Sequence, residues 1–190
     1  MRILVYPHDL NMGGSQTNAI ELGAKVTALG HECIVFGRRG TLCARIEELG
    51  LEFIESPDPG RRPSLRIARA LREIAVQRKI DVIHGYEWPP ALEAALATEG
   101  LPDVASVCTV MSMAVAPFIP SWMPLVVGTQ QISANEQSAG RPNVNLIEPP
   151  VDLEHNGPVD RAEIDEFPRL HGIDERPLVV VVRRVGPALE

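Results

Sequence analysis

Arg2-Ile3-Leu4-Val5-Tyr6-Pro7-His8-Asp9-Leu10-Asn11-Met12-Gly13-Gly14-Ser15 is an apolar run, a break and a glycine pair in succession. From Ser15 the period changes: Ile20, Leu22, Ala24, Val26 and Leu29 recur at mixed three- and four-residue steps up to Gly30. A short β-rich run, a glycine turn and a helix closed by glycine read as strand, loop, helix over residues 2–30. Ser15 suits the N-cap and Gly30 the left-handed position just past the helix. Gly13 and Gly14 let the backbone approach a ligand, and the first free N–H groups of the helix point into the same space. That geometry suits a phosphate or another anion; a plain tight turn is the alternative reading of the same glycines.

Working outward, the alternation repeats. Residues 31–36 form a second strand stopped by Gly37, and Thr41 is placed to cap a short helix carrying Leu42, Ile46 and Leu49. Residues 51–54 alternate with period two, Pro63-Ser64 opens a helix with Leu65, Ala68, Leu71 and Ala75 on one face, and residues 82–84 are a strand. Pro89-Pro90 starts the next helix, strands follow at 104–110 and 124–127, a helix covers 132–138, and a last strand spans 143–147. Strands alternating with helices through the chain predict an α/β fold, a doubly wound parallel Rossmann-like sheet with helices on both faces. In such sheets ligands bind beyond the carboxyl ends of the strands, at the switch in strand order. The loops to inspect are therefore 7–14, 37–40, 85–89 and 111–120.

At 190 residues the chain suffices for one domain and a piece of a second. Hydrophobic content of 45% with 23% charged residues describes a soluble globular protein. A net charge of -7 argues against nonspecific nucleic-acid binding, and 4% aromatics argue against a stacking platform for single strands. Cys33, Cys43 and Cys108 have no metal or redox spacing and read as small buried groups in a reducing compartment. With no signal peptide and no membrane-spanning run in the sequence, the expected location is cytoplasmic. From Glu148 the texture turns proline- and glycine-rich, then acidic, before the apolar run Leu178-Val179-Val180-Val181-Val182. The expected division is a Rossmann-like domain over 1–148, a linker over 149–176 and the first strand of a truncated second domain over 177–190. A lone strand of that kind calls for a sheet edge to pair with, in this chain or in a homodimer.

This order of signals resembles the amino-terminal half of the GT-B glycosyltransferases of family 4, which are retaining and use nucleotide sugars. The matching text is Met12-Gly13-Gly14-Ser15-Gln16 opening a long helix, Gly30-His31-Glu32-Cys33-Ile34-Val35, Asp81-Val82-Ile83-His84, Val144-Asn145-Leu146-Ile147 leading to Val151-Asp152, and Leu178 to Arg184. The resemblance implies a first domain that holds the acceptor and a second that holds the sugar nucleotide, the donor diphosphate meeting Gly13, Gly14 and Ser15 across the cleft. It implies no cofactor and no metal, the departing diphosphate being stabilised by backbone N–H groups and the helix dipole. Without the donor half, the chain is expected to be inactive alone. There are departures. Met111 stands where many relatives have histidine, His84-Gly85-Tyr86 replaces a histidine pair, Glu148-Pro149-Pro150-Val151-Asp152 replaces Pro-Asn-Gly-Val-Asp, and Arg183-Arg184 replaces glycine-arginine.

Each candidate residue has a plainer reading beside its functional one. His84 is the catalytic candidate, or a structural hydrogen-bonding group. Tyr86, Glu87 and Trp88 suit sugar or polyol recognition, or a loop packed on Pro89. Asp9 and Asn11 contact the acceptor, or cap a turn; Gln16 supports the bound acceptor or anion. The basic stretch 61–79, with Arg61, Arg62, Arg66, Arg69, Arg72, Arg78 and Lys79 against Glu73, suits an anionic membrane and a lipid-linked acceptor, or is a solvated helix face. Two other functions stay open at this stage. One is an NAD(P)-dependent oxidoreductase, for which GxGxxG spacing and a ribose-binding acid are missing but Arg38-Arg39 could meet a 2'-phosphate. The other is a non-catalytic, degenerate glycosyltransferase-like binding protein.

Overall fold

The computed structural model describes residues 1–151, 157–173 and 179. The described chain forms two compact units, Met1–Pro150 and Val151–Glu190. In the first, β1 (Arg2–Tyr6), α1 (Gly14–Ala28), β2 (Glu32–Gly37), α2 (Cys43–Glu48), β3 (Glu52–Glu55), α3 (Leu65–Arg78), β4 (Val82–Tyr86), α4 (Trp88–Thr98), β5 (Ala105–Val110), β6 (Leu125–Val127), α5 (Gln130–Ser138) and β7 (Val144–Leu146) follow one another. The strands make one sheet in the order β3-β2-β1-β4-β5-β6-β7, and each neighbouring pair is parallel. This is the doubly wound Rossmann-like architecture that the alternation predicts, with the direction of winding reversing between β1 and β4.

The period-two split of β2 shows how the layers form. Ile34 and Phe36 pack with Ile67, Leu71 and Ala75 of α3 and Ala94 and Ala97 of α4, whereas Cys33 and Val35 pack with Ile20 of α1 and Ile46 of α2. Helices α1 and α2 thus cover one face and α3 and α4 the other. Helix α5 joins the second face through Ile132, which packs with Ala91, Cys108, Val110 and Leu125. Burial on both faces is what makes the central strands read as unbroken apolar runs.

Two glycines fix the layer spacing near the switch. A Cβ on Gly85 of β4 would lie 2.7 Å from the carbonyl carbon of Pro90 and 2.8 Å from the Ala91 nitrogen, so α4 rests its backbone directly on the strand. A Cβ on Gly40 would strike the backbone of Leu10 and Asn11. There the loops after β1 and β2 run together: Leu10 N–H donates to the Arg38 carbonyl at 2.9 Å, and Leu42 N–H donates to the Leu10 carbonyl at 2.7 Å.

Inside the α3–α4 layer lies a fully buried carboxylate. Glu93 accepts from the Tyr6 hydroxyl at 2.5 Å, from Arg62 Nη1 at 2.9 Å and from the Ser64 N–H at 2.7 Å. Arg62 Nη1 also donates to the Tyr6 oxygen at 2.8 Å. One ion pair thereby ties the end of β1, the loop before α3 and the middle of α4.

Several local expectations change. Ser15 does not cap α1: the helix begins at Gly14 with extended Gly13 at the N-cap, two residues earlier, and the Ser15 hydroxyl is buried without a partner among the described residues. Thr41 does not cap α2, because its hydroxyl accepts from the Met12 N–H at 3.2 Å instead. Ser64 does cap α3, accepting from Ile67 N–H at 3.5 Å, and Gly30 takes the left-handed conformation after α1 at φ 90°. In the second unit, α6 (Arg161–Leu170) forms where the sequence reads as a polar linker. Asp160 caps it by accepting from Ala162 N–H at 3.0 Å, and Ile164, Phe167 and Leu170 are exposed along it. The strand expected over 178–182 lies outside the described residues, except for Val179, which is exposed; Asp152, Arg183 and Arg184 also lie outside them.

Candidate active site at the strand-order switch

The carboxyl ends of β1 and β4 are adjacent, Tyr6 standing in register with Gly85 and Val5 with His84. The loops that leave them therefore flank one crevice, as the topology requires. On the β1 side, His8 takes a left-handed backbone at φ 77°, uncommon for a residue with a side chain. Its Nδ1 lies 2.9 Å from Asp9 Oδ2, and the other Asp9 oxygen accepts from Asn11 N–H at 2.9 Å. Burial opposes ionisation of Asp9, but the Asn11 N–H and the His8 ring outweigh it and hold the carboxyl below the usual range. Asp9 thus closes an Asx turn, and both of its oxygens are used within the loop.

The glycine pair follows. Thr17 N–H donates to the Gly13 carbonyl at 2.9 Å as the first bond of α1, which leaves the N–H groups of residues 14–16 ahead of the helical ladder. Gly14 is exposed, and a Cβ there would meet nothing within 4 Å. Gly13 differs: the carboxamide of Gln16 folds back against its Cα, into space that a side chain at 13 would need. The free end of the fifteen-residue helix is therefore open at Gly14 and covered by the Gln16 side chain at Gly13.

On the β4 side, His84 lies within the strand, two residues before its end, not at the ligand edge where the sequence reading put it. Its Nε2 shares a 2.6 Å hydrogen bond with Thr109 Oγ1 of β5, and its ring stacks on Tyr86 at 4.6 Å. Desolvation pushes its pKa down to about 4, so the imidazole is neutral at ordinary pH and carries one ring N–H rather than two. Tyr86 is 1% exposed and packs with Val5 and Ala19 beneath α1. Its ring is a core element and is not presented to a ligand, which corrects its reading as an acceptor contact.

Glu87 is also committed elsewhere. Its Oε1 accepts from Met111 N–H at 2.8 Å and its Oε2 from the Ser112 hydroxyl at 2.7 Å, joining the β4 loop to the β5 loop. Of the aromatic–carboxylate–aromatic trio only Trp88 is exposed, and its ring meets Phe118 edge-on at 5.3 Å. Four residues escaped the sequence reading: His8, Ser112, Arg62 as a buried cation, and Glu93. A glutamate on the inner face of an alanine-rich helix was a visible signal for the last, whereas His8 gave none. Among the described residues, no three His, Cys, Asp or Glu side chains come together as a metal site.

Against this geometry, the sequence matches the model of Glycosyltransferase Family 4 over residues 12–155. The chain belongs to glycosyltransferase family 4. No curated protein matches it. Solved structures similar to it include a glycosyltransferase from Rickettsia africae, with a TM-score of 0.71 at 18% identity, 92% of this chain covering 50% of that one. Another is Anabaena Alr3699/HepE in complex with UDP and glucose, TM-score 0.69 at 13% identity, 90% of this chain covering 50% of that one. MurG from Acinetobacter baumannii follows, TM-score 0.59 at 10% identity, with 84% and 50% covered. The chain thus spans about half the length of these structures, and at such identities the likeness is one of fold.

The family 4 chain shows its departures in place. Met111 gives its N–H to Glu87, and its side chain lies against Gly128. Arg39, weighed above for a 2'-phosphate, is bonded to Glu55 at 3.0 Å and lies over the Phe53 ring.

The His84 environment gives a linkage with a definite sign. Above pH 6.5 the imidazole is neutral folded or unfolded; between 6.5 and 4 the unfolded chain takes up a proton that the folded chain refuses, so stability falls as pH falls through that window. From pH 7 to pH 4.5 His84 should remove roughly 2–3 kcal/mol. Urea melts of the protein and of His84→Gln at both pH values should differ by that slope; equal losses in the two would show that His84 does not resist protonation.

Proposed function

We propose that this chain is the acceptor-binding half of a nucleotide-sugar-dependent glycosyltransferase, retaining and independent of metal, which needs a donor-binding half to transfer sugar. The observation that carries this reading is the open amino end of α1 at the β1–β4 switch, with Gly14 exposed and the N–H groups of residues 14–16 ahead of the helix. Such a terminus stabilises negative charge through oriented N–H groups and the helix dipole, and that is the charge that develops on a diphosphate as it leaves. Gly13, Gly14 and Ser15 serve here through their backbone, because the Ser15 hydroxyl is buried. Gln16 is within reach to follow the anion once its carboxamide swings off Gly13. Asp9 and Asn11 shape the acceptor side, with the exposed Asn11 side chain as the group available to a hydroxyl. His84 supports the wall as a neutral group. The Anabaena structure of similar fold is a complex with UDP and glucose, which is consistent with a uridine nucleotide on the donor side. The test is transfer by the full-length protein across a panel of nucleotide sugars, read as nucleoside diphosphate release. Replacing both Gly13 and Gly14 by valine should cut kcat by about 100-fold or more if backbone contacts to the leaving group are lost. Unchanged turnover in that variant would overturn the assignment.

A lipid-linked acceptor at an anionic membrane is the partner best supported by charge. Arg62, Arg72 and Arg78 are used inside the protein: Arg62 by Glu93, Arg72 by the Ala97 and Glu99 carbonyls at 3.1 and 2.6 Å, and Arg78 by Glu52 at 2.7 and 2.6 Å. Arg61, Arg66, Arg69 and Lys79 are exposed and make no ion pair among the described residues, and Leu65 is 63% exposed beside them. Cations flanking an exposed leucine suit an anionic lipid surface. No described helix is long and apolar enough to cross a membrane, so any such contact is peripheral. Co-sedimentation with vesicles containing phosphatidylglycerol at low salt should be lost in the triple variant Arg61→Gln, Arg66→Gln, Arg69→Gln; equal binding by that variant would remove α3 from the interface.

A further inference from the structure

Glu87 occupies a backbone conformation, φ 66° and ψ 175°, that is essentially the preserve of glycine. A residue with a side chain is held there only when its surroundings over-determine it, and the surroundings are explicit. Its N–H donates to the Thr109 carbonyl at 2.8 Å, and its carbonyl accepts from Ala91 N–H at 3.1 Å as α4 begins. The twisted backbone aims the carboxylate across β5, where Met111 N–H and the Ser112 hydroxyl supply one hydrogen bond to each oxygen.

Those two donors stand at one end of the loop between β5 and β6. At the far end, Arg141 donates to the Pro120 carbonyl at 2.8 Å and to the Ile119 carbonyl at 3.1 Å, while Ile119 and Met123 are buried. Between the two anchors lies an apolar lip at the carboxyl edge of the sheet: Met113 is 94% and Phe118 54% exposed. Phe118 meets Trp88, the residue that follows Glu87 in sequence. One side chain therefore fixes the loop from below and sets the turn that places Trp88 against it.

We propose that Glu87 is a positioning residue, a latch that holds the 111–118 segment closed over the β4–β5 side of the crevice, and that it does not itself contact a substrate. The importance of the latch for transfer rests on the glycosyltransferase reading above, but the latch itself is a property of this chain without nucleotide. Glutamine at 87 keeps both bonds, its carbonyl accepting from Met111 N–H and its amide donating to the Ser112 oxygen. Alanine removes both. Glycine removes both and relaxes the backbone, so it separates the carboxylate from the strain and guards against a variant that simply fails to fold.

Amide hydrogen exchange on this chain tests it. Protection of the Met111 amide, which donates to Glu87, should fall by about tenfold in Glu87→Ala and in Glu87→Gly and stay within about threefold in Glu87→Gln. In a Trp122→Phe background, Trp88 emission should shift to the red in the same two variants as Phe118 leaves the ring. Unchanged protection in Glu87→Gly, or a loss in Glu87→Gln as large as in Glu87→Gly, would overturn the latch. Because neither readout needs a sugar nucleotide, failure of the glycosyltransferase reading leaves the latch standing, and failure of the latch leaves that reading untouched.

Discussion

The buried carboxylate of Glu93 is the contact on which the crevice depends. It collects a phenol from the end of β1 and a guanidinium and a backbone N–H from the loop before α3, in a place that water does not reach. Removing one partner from such a pair leaves an uncompensated interior charge, roughly a 3–5 kcal/mol penalty, whereas the intact pair need add little net stability. Its consequence here is positional. Tyr6 is the last residue of β1, and the glycine loop leaves from there; α4, which carries Glu93, rests on Gly85, the register partner of Tyr6. Burial on the Tyr6 ring and the adjacent carboxylate push that phenol's pKa up, so it stays a donor at any physiological pH.

From that fixed wall the two lips of the site leave in opposite manners. The β1 side ends in a helix terminus whose N–H groups are open at Gly14, suited to a ligand that brings negative charge. The β4 side ends in groups already satisfied within the protein: His84 by Thr109, Tyr86 by the core, Glu87 by the β5 loop. In this arrangement the backbone of the proposed anion site stays open at Gly14, and the side chains opposite it hold the neighbouring loops in place.

The fold was legible because period and punctuation agree: Val5 and Ile20 announce their elements by spacing, and Gly30 stops α1 where a left-handed residue is needed. Of the candidate site, the open backbone at Gly14 was legible, because a glycine pair ahead of a helix marks it in the sequence. Side-chain roles were misread for a consistent reason. Sequence shows that Tyr86 and Glu87 stand at a strand end, but the half-turn from one face of the sheet to the other decides whether a ring points to solvent or to α1. Likewise Arg62 looks like one more cation in a basic run until Glu93, 31 residues away, takes it inside. Long-range pairs of this kind leave no periodic trace.

The most direct measurement is an amide NMR titration of this chain with uridine diphosphate. Saturable shifts centred on Gly14, Ser15 and Gln16, at about millimolar dissociation constant for a half-site, are expected if the open terminus of α1 is the diphosphate subsite. Shifts confined to Arg38 and the end of β2, or none at saturating nucleotide, would contradict it.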